Sequence, residues 1–216
     1  MSQLTVLDLL TASPIVAVLT IERPEDAVPL AEAMVAGGIT GLEVTLRTDC
    51  ALDCISAIAA NVPDALIGAG TVLTPAHLQQ VIDAGAQFGI SPGTTAGLLA
   101  AASTAPIPFL PGVATSSEIM YALDAGFDIV KFFPVTSLGG VGAIKTIGGP
   151  FPQVRFCCNG GTSGENYLDF LNLANVLAVG GSWVAPAKMI ADKDWAGITE
   201  LARRNIGPAR DVLEAA

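Results

Sequence analysis

Short apolar runs recur along the chain, each closed by Gly, Pro, Ser or Thr and each followed by an Ala-rich stretch with helically spaced apolar positions. Near-continuous apolar runs are the pattern of strands buried on both faces of a parallel sheet. The predicted strands are residues 15–21, 41–47, 66–72, 88–91, 109–113, 129–134, 154–159 and 176–180. Start signals stand between them: Pro24 in a first turn, Thr48 and Asp49 ahead of Ala51, Thr74-Pro75, and Thr115 with Glu118 as a capping box. Gly37-Gly38, Gly85, Gly126 and Gly148 supply the stops. The segments MVAGGITGLEVT, VIDAGAQFGIS and ALDAGFDIVKFF repeat one unit of helix end, Ala-Gly and buried strand. Eight βα units with no linker or shift in composition predict an α/β fold, a single compact (β/α)8 TIM barrel spanning residues 1–216. A doubly wound open sheet competes with it. Its GxGxxG fingerprint is missing, because Gly68-Ala69-Gly70 runs into Thr71-Val72-Leu73-Thr74 with no third glycine.

Charged residues inside buried strands are the informative exceptions. In GLEVTLR, Glu43, Thr45 and Arg47 fall at period two, so all three are expected on the barrel's inner face, with Arg47 nearest the C-terminal rim where barrel active sites form. An internal Glu43–Arg47 ion pair is the purely structural alternative. In FDIVKFFP, Lys131 is flanked by Ile129, Val130, Phe132 and Phe133. Desolvation there is expected to depress its pKa and make a neutral amine available to attack a carbonyl. A structural pairing of Lys131 with Glu43 is the alternative, and the two overlap, since Schiff-base chemistry also needs a carboxylate near the lysine.

Composition narrows the classes. A 51% hydrophobic chain of 216 residues has ample material for a core, which excludes disorder. Only 14% of residues are charged and mean hydropathy is +0.59, yet the longest charge-free run, residues 84–117, is broken by Pro92, Pro106, Pro108 and Pro111. No membrane span is expected. The N-terminus has Asp8 and no basic stretch ahead of an apolar run, so a cytoplasmic location without a signal peptide is expected. Ten Lys+Arg against twenty Asp+Glu leave a net charge of −10, and Arg203-Arg204 is the one basic cluster, which argues against nucleic acid as a partner. An anionic substrate must then be held by a few placed cations or by backbone N–H groups. Cys50, Cys54, Cys157 and Cys158 lack CxxC spacing and His77 is the sole histidine, so no metal site is expected and the cysteines read as reduced small hydrophobes. His77 reads as a surface residue, and Trp183 and Trp195 as packing residues.

Two glycine doublets close the last two strands, in Asn159-Gly160-Gly161-Thr162-Ser163 and Gly180-Gly181-Ser182, each expected just before a helix. Loops after strands seven and eight of such barrels often bind phosphate through bare N–H groups, which suits an acidic protein; ordinary tight turns are the alternative. Thr71 closes the third strand, where its hydroxyl can reach a carboxylate or simply form a turn.

The motifs LEVTLRT (42–48), GAGTVL (68–73), FGISPG (88–93), PFLPGVAT (108–115), KFFP (131–134), QVRFC (153–157) and VGGSW (179–183) together resemble the aldolases of 2-keto-3-deoxy-6-phosphogluconate (KDPG) and 4-hydroxy-2-oxoglutarate (KHG) from Ile15 to the C-terminus. The resemblance implies a small (β/α)8 barrel, a homotrimer, and class I aldol chemistry on a phosphorylated 2-keto acid without metal or cofactor. It implies Lys131 as the Schiff-base nucleophile and Glu43 as general acid/base. Arg47, Thr71 and Lys131 would bind the pyruvyl carboxylate, and Gly160, Gly161, Gly181 and Ser182 the phosphate. The family pattern Pro-Thr-Gly-Gly-Ile stands here as Cys158-Asn159-Gly160-Gly161-Thr162, which makes Asn159 a candidate for substrate selectivity unless it only caps the turn. A phosphate-binding barrel isomerase or synthase would share the doublets but have no use for a buried lysine, and a non-catalytic barrel module would trap no pyruvate.

Overall fold

A computed structural model describes residues 4–215. In chain order the elements are α1 (Val6–Ala12), β1 (Ile15–Leu19), α2 (Ala27–Ala36), β2 (Gly41–Thr45), α3 (Ala51–Asn61), β3 (Leu66–Gly70), α4 (Pro75–Asp83), β4 (Phe88–Ile90), α5 (Ala96–Ala102), β5 (Phe109–Leu110), β6 (Gly112–Val113), α6 (Ser116–Asp124), β7 (Ile129–Phe132), α7 (Gly140–Gly148), β8 (Arg155–Asn159), α8 (Tyr167–Leu171), β9 (Val176–Gly181), α9 (Ala187–Ala191) and α10 (Trp195–Glu214). Every predicted strand is present. β5 and β6 are the two halves of the predicted 109–113 strand, split at Pro111 because proline has no N–H to place in a ladder. The Pro111 carbonyl still accepts a bond from the Lys131 N–H at 2.9 Å.

The strands pair in parallel in the order β5-β4-β3-β2-β1-β9-β8-β7-β6. Since β5 and β6 at the two ends of that order adjoin in sequence, the sheet comes round on itself as a nearly closed barrel. Period-two alternation sorts its side chains. Leu42, Val44, Val130, Phe132, Phe156 and Cys158 face outward into the core shared with the helices. Val16, Phe88, Ile90, Leu110, Cys157 and Ala178 form a separate inner cluster with Leu9 and Leu10 of α1, which plugs the barrel's N-terminal end. Burying those two leucines contributes about 2 kcal/mol each.

Local chemistry sets the helix ends. Thr74, Thr95 and Thr115 each accept a bond from the N–H three residues on, and Glu118 returns to the Thr115 N–H at 2.9 Å, completing the expected capping box. A second box, Thr5 with Asp8, starts α1. At α3 the expectation is corrected: Cys50 is the cap position, and the Thr48 hydroxyl donates to the Ile21 carbonyl at 2.8 Å, tying the loop after β2 to the end of β1. Pro24–Asp26 forms a 3-10 turn ahead of α2. Among the described residues no helix is long and apolar enough to cross a membrane.

Candidate active site

Glu43 on β2 and Lys131 on β7 project into the barrel, 1% and 6% exposed, while their flanking residues face outward. Lys131 Nζ stands 3.4 Å from Glu43 Oε1 and 5.3 Å from the centre of the Phe133 ring. A charge-assisted bond is normally 2.7–2.9 Å, so the pair is in contact without being locked together. Glu43 Oε2 is buried with no hydrogen-bond partner, a costly state for a core carboxylate unless something that enters the barrel completes it. The carboxylate has its position because Gly70, beside it on β3, has no side chain: a Cβ there would overlap Glu43 Oε1.

Cys157 is the neighbour of Lys131 across the β7–β8 ladder. Burial pushes its thiol up to about 12; the Lys131 charge acts against that shift and the Glu43 charge adds to it. One step further along β8, Asn159 is also buried, and its Oδ1 accepts a bond from the Cys157 thiol at 3.3 Å. Neither the thiol nor the Phe133 ring was singled out as part of the site from the sequence. Cys157 shares period two with Asn159, and that was the available signal.

The remaining candidates lie on the C-terminal rim. β2 ends at Thr45, not Arg47: the Arg47 N–H turns back to the Thr45 carbonyl at 2.8 Å, and Arg47 becomes an exposed rim residue beside Glu22, Thr48, Asp49 and Cys50. The Glu43–Arg47 ion pair does not form; the carboxylate faces Lys131. Thr45 keeps its inward place and donates to the Leu19 carbonyl at 3.2 Å, with the Thr20 hydroxyl 3.0 Å away. Thr71 has φ 60°, a left-handed backbone that costs a β-branched residue roughly 1–3 kcal/mol and clusters at functional sites.

Gly160 and Gly161 have φ of 91° and 85°, conformations open to glycine, and turn the chain at the end of β8. Asn166 fastens this loop by donating to the Gly161 carbonyl at 3.0 Å and accepting from the Ser163 N–H at 2.8 Å. Thr162 joins it to the second doublet through a 2.7 Å bond to the Gly180 carbonyl. The helices do not follow directly as expected: α8 starts at Tyr167, because residues 161–166 are engaged in their own loop bonds, and α9 at Ala187, after a turn in which the Ala185 N–H donates to the Ser182 carbonyl at 3.1 Å.

Trp183 packs on Tyr167 at 5.8 Å between ring centres and donates to Asn205 Oδ1, and Trp195 lies against the outer core, as expected of packing residues. His77 is half-buried in the first turn of α4, its Nδ1 accepting from the Leu73 N–H at 3.4 Å. The four cysteines are free thiols, with Cys50 half-buried and the others buried. No group of three or more His, Cys, Asp and Glu side chains able to hold a metal ion occurs among the described residues.

A sequence model described as "Aldolase: KDPG and KHG aldolase" matches residues 6–201. The KHG/KDPG aldolase of Escherichia coli is 52% identical over 202 residues, covering 94% of this chain and 95% of that one. The structure of a Legionella pneumophila KDPG aldolase, with pyruvate captured as a covalent carbinolamine, is similar with a TM-score of 0.91 at 48% identity, covering 93% of this chain and 97% of its own. That of a Zymomonas mobilis KDPG aldolase with 3-phosphoglycerate has a TM-score of 0.89 at 44% identity, covering 93% and 95%.

Proposed function

The chain belongs to the KDPG and KHG aldolase family, and from that premise we propose how its own residues carry out the reaction. It is a class I aldolase that cleaves KDPG to pyruvate and glyceraldehyde 3-phosphate, with KHG, giving pyruvate and glyoxylate, as a second substrate. The Lys131 amine attacks the C2 ketone. The resulting carbinolamine loses water to give an iminium on Nζ. Glu43, 3.4 Å from that nitrogen and with Oε2 unpartnered, takes the proton of the C4 hydroxyl, directly or through water. The bond between C3 and C4 then breaks, its electron pair passing into the iminium to form the enamine of pyruvate while the aldehyde leaves. Protonation at C3 and hydrolysis release pyruvate and restore Lys131. The iminium is the electron sink, so no metal enters the scheme.

The other roles are those the family resemblance implies, and their places near the C-terminal ends of the strands support them. Arg47 and the Thr71 hydroxyl hold the pyruvyl carboxylate. The N–H groups around Gly160, Gly161, Gly181 and Ser182 hold the phosphate, which lets a chain of net charge −10 bind an anion with few cations. Asn159, at the end of β8, contacts the distal part of the substrate and bears on the choice between KDPG and KHG. The enzyme works in the cytoplasm as a homotrimer.

The observation that carries this reading is the buried Lys131–Glu43 pair with one open carboxylate oxygen. Pyruvate release from KDPG and from KHG, followed with a coupled dehydrogenase, tests it. The expected result is turnover by the natural chain and none by Lys131→Arg, whose guanidinium stays protonated and cannot form an iminium. Residual activity above a few per cent in that variant would overturn the assignment.

A further inference from the structure

Asn159 stands where the family pattern has threonine, and an amide differs from a hydroxyl in having two unlike ends. A threonine hydroxyl rotates to donate or accept as the partner requires, whereas an amide presents a donor in one orientation and an acceptor in the other. A site that relies on one end must fix the flip. Here Oδ1 is held by the Cys157 thiol at 3.3 Å. Nδ2 lies over the Cα of Gly180, in the place a Cβ would take, and makes no hydrogen bond among the described residues. Asn159 as a whole is 3% exposed, on the strand that carries Cys157 opposite Lys131.

We propose that Cys157 is a positioning residue of the site: its thiol fixes the Asn159 amide by Oδ1 and leaves Nδ2 as the donor the substrate meets, so that this position recognises a hydrogen-bond acceptor on the distal substrate. The inference rests on the aldolase reading and deepens it. Cys157 is suited to the task because it is wholly buried, directly opposite Lys131 in the β7–β8 ladder, and shares the inner face of β8 with Asn159. Burial keeps it a thiol, hence a donor, through the neutral range. An alanine there would leave the amide free to turn its acceptor end toward the substrate.

A double-mutant cycle tests this, with Cys157→Ala and Asn159→Thr made singly and together and KDPG cleavage measured in each. Cys157→Ala is expected to lower kcat/KM about threefold to tenfold, through KM more than kcat, the scale of one neutral hydrogen bond. Cys157→Ser, which restores a donor, should recover most of the loss. In the Asn159→Thr background the same alanine substitution should change kcat/KM by less than about twofold, because the amide it served is gone. Equal losses in both backgrounds, or a serine variant as impaired as the alanine one, would overturn the proposal. If the alanine variant proves insoluble, Cys157→Val, similar in volume and without a donor, takes its place in the cycle. Borohydride trapping of pyruvate by the natural chain separates the two readings: no adduct means the aldolase reading fails, whereas an adduct with an additive cycle removes only the role of Cys157.

Discussion

Glu43 holds Oε1 3.4 Å from Lys131 Nζ and leaves Oε2 without a hydrogen-bond partner, the arrangement from which we propose it as the base. Glu43→Gln keeps the shape and removes the base. The expected loss in kcat is on the order of 10² to 10⁴, the usual worth of positioned acid/base catalysis, with iminium formation on Lys131 slowed but detectable. An unchanged kcat would make Glu43 a structural partner only. At this scale the sequence was legible where a residue broke its surroundings: a glutamate and a lysine in apolar strands are conspicuous because burying a charge is expensive. Cys157 was not legible in the same way. A cysteine is as apolar as the Phe156 and Cys158 beside it, and nothing in the letter says that its thiol faces inward to an amide.

Strands and loops fix where those groups point, and Gly70 is the clearest case. Its lack of a side chain gives the Glu43 carboxylate its room. Gly70→Ala is therefore expected to act like a catalytic substitution made from a neighbouring strand, lowering kcat at least tenfold and lowering Tm as well, since the carboxylate has to leave its rotamer. A variant with normal kcat and only a lower Tm would show that Glu43 can shift without consequence. Element positions were readable because apolar runs and threonine caps are local signals. Strand ends were less so: residues 41–47 read as one strand, yet ladder pairing stops at Thr45, where the Arg47 N–H turns back on the chain. The interval between the first glycine doublet and its helix was also hidden, because Asn166 secures that loop by local bonds to Ser163 and Gly161 that leave no mark in the apolar periodicity.

The whole molecule adds a pH dependence of stability. Burial holds the Cys157 thiol up to about 12 and the Cys158 thiol well above its ordinary 9.0. Between those values the unfolded chain releases protons that the folded chain retains, so stability is fully present below about pH 9 and falls as pH rises toward 12. Urea midpoints should therefore drop between about pH 8 and about pH 10.5, and Cys158→Ala should flatten the slope; a midpoint independent of pH over that interval would contradict the burial of these thiols. The central claim is chemical, and one measurement reaches it most directly. The protein is incubated with pyruvate, reduced with borohydride, digested and examined by mass spectrometry. The account predicts one reduced pyruvyl group per chain, on the peptide that contains Lys131. A chain that stays unlabelled, or one labelled on another lysine, would contradict it.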